Sequence, residues 1–105
     1  MQFKKFKNKI LIRIDKGEDI VETLKKFCID QKIKLGTISG IGAANKVKIG
    51  LFEISSKKYF SKEFNGDYEI VPLYVNISTM KGELYLHLHA NIADSKQNSF
   101  GGHLN

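Results

Sequence analysis

Apolar and polar residues alternate along several runs of this chain, and in one stretch the apolar ones recur at helical spacing. Lys9 to Ile14 sets Ile10, Ile12 and Ile14 on one face and Leu11 and Arg13 on the other, which predicts a strand. Lys16-Gly17-Glu18-Asp19 then turns the chain. Ile20, Val21, Leu24, Phe27 and Cys28 form one apolar stripe, predicting a helix from about residue 18 to about residue 32. Glu18, Asp19 and Glu22 sit at its start and Lys25, Lys26 and Lys32 toward its end, the charge order a helix dipole favours.

Beyond the helix the period returns to two. Gly36 to Ala43 reads as a strand with a bulge or a close backbone approach at its glycines. Its Gly40-Ile41-Gly42 does not read as a phosphate-binding loop. No Gly-Lys-Ser/Thr ending follows, and the next segment has strand character, not helix character. Lys46 to Ile54 predicts a strand facing inward through Val47, Ile49 and Leu51, and Lys57 to Phe64 a polar, aromatic one. Asn65-Gly66-Asp67 is a tight-turn signal. Tyr68 to Ser78 carries Ile70, Leu73, Val75 and Ile77, with Pro72 arguing for a bulge or an edge. Lys81-Gly82 turns into Glu83 to Ala93, where Leu84, Leu86, Leu88, Ala90 and Ile92 oppose Tyr85, His87, His89 and Asn91. Asp94 to Asn98 is a loop. The expected architecture is a single α+β domain over residues 1–105: a mainly antiparallel sheet of five to seven strands with one principal helix packed on it.

Length and composition narrow the class. A chain of 105 residues with 42% hydrophobic and 27% charged residues has room for one modest core, so self-association would add needed burial. Cys28 is the lone cysteine, which excludes an intramolecular disulfide, and its place on the apolar stripe predicts a buried, inert thiol. No run approaches the roughly 18 apolar residues needed to span a bilayer. The basic start, Met1-Gln2-Phe3-Lys4-Lys5, lacks the features of a signal peptide, so a cytoplasmic location is expected. The formal net charge of +6 attracts phosphate backbones whatever their sequence. Arg13 is the single arginine, however, and bidentate reading of bases relies on arginine. Any DNA binding expected here is nonspecific.

The chain's three histidines are its most pointed chemistry. Residues two apart on a strand project from one face with Cβ atoms about 7 Å apart, so His87 and His89 can aim at a common point. His103 follows a loop long enough to return across that face, and Gly101 and Gly102 permit close backbone approach. Three histidines with an open fourth position suit a catalytic zinc ion (Zn2+) better than a structural one. Glu69 and Asp94 are the first carboxylates to consider as a further ligand or a general base. The alternative is a polar or subunit-facing surface on which the histidines hydrogen-bond to neighbours.

Four stretches, taken together, resemble the PPC domain (plants and prokaryotes conserved domain). They are Arg13-Ile14-Asp15-Lys16-Gly17-Glu18-Asp19-Ile20-Val21-Glu22-Thr23-Leu24, Ser39-Gly40-Ile41-Gly42-Ala43, Gly66-Asp67-Tyr68-Glu69-Ile70, and Leu86-His87-Leu88-His89 with Gly101-Gly102-His103-Leu104. The resemblance implies a homotrimer of α/β sandwich-like subunits. In plants the domain accompanies AT-hook motifs, which grip DNA while the domain self-associates and contacts nuclear proteins. This sequence has no Arg-Gly-Arg-Pro core. Stand-alone prokaryotic members are commonly labelled as predicted DNA-binding proteins, so the resemblance implies a homotrimeric binding module, linked to DNA or regulatory partners, with DNA as a nonspecific partner. The fold is also similar to that of acetolactate decarboxylase, a zinc enzyme with a His-x-His pair and a later histidine. That likeness would make His87, His89 and His103 metal ligands for a carbonyl substrate, but the decarboxylase's other catalytic groups have no match here. Members of the family continue past Gly-Gly-His-Leu for another strand or two, so the domain is expected to be short at its C-terminus.

Overall fold

The structure, a computed structural model, describes residues 1–105. Six strands and one helix follow in the order β1 (Gln2–Phe6), β2 (Lys9–Arg13), α1 (Ile20–Asp30), β3 (Gly36–Glu53), β4 (Lys58–Met80), β5 (Glu83–Ala93) and β6 (Ser99–Leu104). Contacts gather them into two compact units, Met1–Ile33 and Lys34–Asn105.

In the first unit β1 and β2 pair antiparallel through a turn at Lys7 and Asn8, placing Phe3 opposite Ile12. Periodicity alone does not announce β1, because Phe3 and Phe6 stand among four lysines and all five strand residues are exposed. The helix is shorter than its apolar pattern suggested. Asp19 caps it, its carboxylate accepting from the Glu22 backbone N–H at 2.9 Å. Leu24, Phe27 and Cys28 are its buried stripe, and Phe3 meets Phe27 edge-on at 5.0 Å between ring centres. Burial raises the Cys28 thiol above its ordinary pKa, as expected of an inert core cysteine. At the start of this unit the Met1 ammonium pairs with Asp15 at 2.9 Å and Glu18 at 2.6 Å.

The second unit corrects the expectation of one sheet of five to seven strands. β3, β4, β5 and β6 are antiparallel neighbours and close into a barrel, leaving β1 and β2 as a separate ribbon. Closure follows from the length of β3 and β4, which bend at a series of register shifts instead of ending. Shifts fall between Gly40 and Gly42, between Ala44 and Lys46, and on β4 between Ile70 and Leu73, where Pro72 lies. Asn65-Gly66-Asp67 is accordingly no hairpin turn. Lys46 pairs with Asn65 and Ala44 with Tyr68, so Gly66 and Asp67 bulge opposite Asn45, with Gly66 at φ +133°. The β3–β4 connection is Ile54–Lys57, a segment without glycine, asparagine or proline.

Lys81 and Gly82, both at positive φ, close the β4–β5 hairpin as expected. Inside the barrel lie Val47 and Ile49 of β3, Phe64, Ile70, Leu73, Val75 and Ile77 of β4, Leu88, Ala90 and Ile92 of β5, and Leu104 of β6. Leu51, expected with Val47 and Ile49, is 63% exposed because the β3–β4 hairpin runs on past the last β3 residue paired with β6, Gly50. No polar side chain is buried. No helix is long and apolar enough to cross a membrane.

Candidate metal centre

β5 alternates as its sequence demands, so His87 and His89 share its outer face while Leu88 and Ala90 fill the barrel. His103 arrives by strand pairing, not by a wandering loop. Asp94–Asn98 forms a compact reversal, and β6 runs back along β5 with His103 directly opposite His89 and Gly102 opposite Ala90. On its other side β6 pairs with β3, bringing Gly50 opposite His103. The two glycines before His103 have different reasons to be glycine. A Cβ on Gly102 would press into the Gly50 carbonyl at 2.7 Å and the Ile49 side chain at 2.9 Å, so the close approach of β6 to β3 depends on its absence. A Cβ on Gly101 would meet the Asn91 side-chain oxygen at 2.8 Å.

The three imidazoles form a cluster. Ring centres stand 4.9 Å apart for His87 and His89, 5.1 Å for His87 and His103, and 6.0 Å for His89 and His103. One ring nitrogen from each lies within 4.8 Å of the others. In a tetrahedral zinc site with Zn–N bonds of about 2.0–2.1 Å the nitrogens stand roughly 3.4 Å apart. Small rotations of the exposed His87 and His89 side chains close that difference, so the residues fit a divalent ion. Half-burial lowers the His103 pKa below the usual imidazole value, and the neighbouring His87 and His89 add to the shift. Both effects favour the neutral form that a metal requires.

Neither carboxylate candidate joins the cluster. Asp94 is consumed in the reversal, its Oδ1 accepting the backbone N–H groups of Lys96 at 2.9 Å and Asn98 at 3.0 Å. Glu69 pairs with Ala93, four residues along β5 from His89, or about 13 Å at strand rise. The residues that do share the cavity with the histidines come from β3 and β4. Phe52 and Tyr59, cross-strand partners, line it with Gly50 and Leu51 as an open groove of about 370 Å³. Sequence reasoning missed them, because Ser55-Ser56 separates the two strands without setting the register that pairs Phe52 with Tyr59. The His89–His103 pairing did leave a trace, since the two are equidistant from Lys96 at the centre of the Asp94–Asn98 loop.

Residues 1–105 match the family model described as the Plants and Prokaryotes Conserved (PCC) domain, also abbreviated PPC. Among curated proteins nothing matches. Among solved structures, a candidate DNA-binding protein from Bacteroides thetaiotaomicron is 36% identical with a TM-score of 0.95, the match covering 99% of this chain and 73% of that one. A plant- and prokaryote-conserved protein from Pyrococcus horikoshii is 34% identical with a TM-score of 0.83, over 89% and 65% of the two chains. A metal-containing protein from Archaeoglobus fulgidus is 31% identical with a TM-score of 0.85, over 99% and 73%.

Proposed function

The chain belongs to the plants and prokaryotes conserved domain family over residues 1–105, and from that membership we propose a homotrimeric binding module whose subunits each hold a zinc ion through His87, His89 and His103. The observation that carries the metal reading is the convergence of three ring nitrogens within 4.8 Å on one barrel face. The relative from Archaeoglobus fulgidus, named as metal-containing and 31% identical, supports it. Zinc bound to three neutral imidazoles supplies a Lewis acid with room for one exchangeable ligand. This chain's own part is to hold the three nitrogens on two paired strands, with His103 fixed by the β5–β6 register. Self-association is supported by large apolar side chains left in solvent on the second unit, such as Ile41 at 87% and Ile54 at 82% exposure.

Native mass spectrometry of protein purified without added metal or chelator, followed by zinc titration, tests both parts. The expected species is a trimer with one zinc per subunit. A monomer overturns the assembly, and a protein that takes up no zinc overturns the site.

DNA is the second reading, favoured by the +6 charge and by the relative from Bacteroides thetaiotaomicron named as a candidate DNA-binding protein. With Arg13 as the one arginine, affinity for duplex DNA is expected to be indifferent to sequence and to fall steeply with salt. Undetectable binding at low salt removes DNA as a partner.

A further inference from the structure

The histidine cavity has a second wall of different chemistry. Gly50 lies directly opposite His103, and its bare Cα makes room for the Tyr59 ring, which a Cβ there would overlap. Tyr59 stands edge-on to His103 with ring centres 6.3 Å apart and planes at 87°. The Tyr59 hydroxyl donates to Asn105 Oδ1 at 3.0 Å and accepts from Asn105 Nδ2 at 2.7 Å. Asn105 is itself tied to β3, its backbone N–H donating to the Lys48 carbonyl at 3.0 Å. Tyr59 therefore offers the cavity an anchored aromatic ring, with both hydrogen-bonding roles of its hydroxyl already engaged. Phe52 extends the same wall.

No carboxylate and no lysine lines this cavity. Three neutral imidazoles and a divalent ion leave two positive charges that no neighbouring acidic side chain offsets. An anionic oxygen donor is the ligand that balances them, and its non-coordinating part lies against two aromatic rings on one side of an open groove. We propose that the cavity binds a small carboxylate carrying a flat apolar body, with the carboxylate at the three-histidine end and the body against Phe52 and Tyr59. This rests on the metal reading above. A volume of about 370 Å³ accommodates a single ring bearing a carboxylate.

The test uses the full chain loaded with Co2+, whose visible spectrum reports its donor set. Acetate, benzoate and benzamide are the probes: charge alone, charge with a ring, and the ring without charge. Benzoate is expected to perturb the spectrum with a Kd about tenfold or more below that of acetate, and benzamide to leave it unchanged. Tyr59→Ala brings benzoate close to acetate while Co2+ uptake persists, and Tyr59→Phe restores the preference because the ring is what binds. Phe52→Ala, with a smaller loss in the same direction, stands in if Tyr59→Ala does not fold. Equal affinities for acetate and benzoate on a cobalt-loaded protein overturn the proposal and leave the metal site standing. A chain that takes up no cobalt removes the metal site and this proposal with it.

Discussion

The two faces of β5 differ completely in what they ask of the sequence. Inward, Leu88, Ala90 and Ile92 are buried, with Ile92 at 0% exposure, and any apolar side chains of the right volume would serve. Outward, one residue over, His87 and His89 are exposed and contribute little to packing, yet their register with His103 builds the three-imidazole cluster on which the proposed metal site rests. His103 stands between these extremes, half-buried on β6, with the lowered pKa that burial and two neighbouring imidazoles impose. Stability and chemistry thus share a strand but not a set of residues, so substitutions should separate them.

The largest effect is expected on the inner face. Ile92→Ala empties a fully buried site and should destabilise the protein by about 2–5 kcal/mol in urea unfolding, while the folded fraction keeps its metal stoichiometry. Next, His89→Ala should weaken zinc binding by about a hundredfold or more, roughly 2.7 kcal/mol, and leave the metal-free melting temperature unchanged. Loss of structure in that variant would show that the outer face carries packing after all. The adjacent glycines sharpen the same contrast at single-residue resolution. Gly102→Ala drives a methyl into the Gly50 carbonyl and should cost about 1–3 kcal/mol. Gly101→Ala meets the Asn91 side-chain oxygen, which accepts from the Ser99 hydroxyl at 2.8 Å, so making room loosens one exposed hydrogen bond and should cost about 1 kcal/mol or less. Equal losses in thermal melts would mean that β6 lacks the inner and outer distinction of β5.

The sequence exposes this contrast unevenly. β5 was legible from end to end because a half-buried strand writes its two faces as alternation, and the Lys81-Gly82 turn before it has the residues that positive φ demands. The clustering of His87 and His89 with His103 was legible for the same reason. In the β1–β2 ribbon, β2 shows its alternation through Ile10 and Ile12, but β1, exposed at all five residues, has no period to betray it. β3 and β4 were each read as two strands, because a bulge and a turn draw on the same residues: Gly66 serves one where it signals the other. The aromatic wall is hidden for a different reason. Tyr59 faces Phe52 only if the strands on either side of Ser55-Ser56 pair with each other in this register, and Ser55-Ser56 breaks the pattern without fixing a turn type.

The smallest expected effect concerns the loop that aligns the two strands. Asp94 begins the Asp94–Asn98 reversal, and the backbone N–H groups it binds fix the register that sets His103 against His89. Partial burial would push its carboxyl pKa up. The N–H groups of Asn98 and Lys96, the Asn98 amide and the Lys96 charge outweigh that, and the pKa falls below its ordinary 3.8. A carboxyl whose pKa is lowered on folding stabilises the fold above its unfolded value, and the contribution is lost as pH falls through the folded one. Asp94→Ala should therefore lower the melting temperature by a few degrees at most near neutral pH, with the gap from the parent protein shrinking below about pH 4. Zinc affinity should drop by no more than about tenfold, far less than in His89→Ala, because pairing from Ser99 to His103 still holds β6 in place. A gap in melting temperature that persists unchanged at pH 3 would mean that Asp94 acts by shape and not by charge. A loss of zinc affinity equal to that of His89→Ala would place the loop within the site itself, and the separation of the two faces would no longer hold at the end of β5.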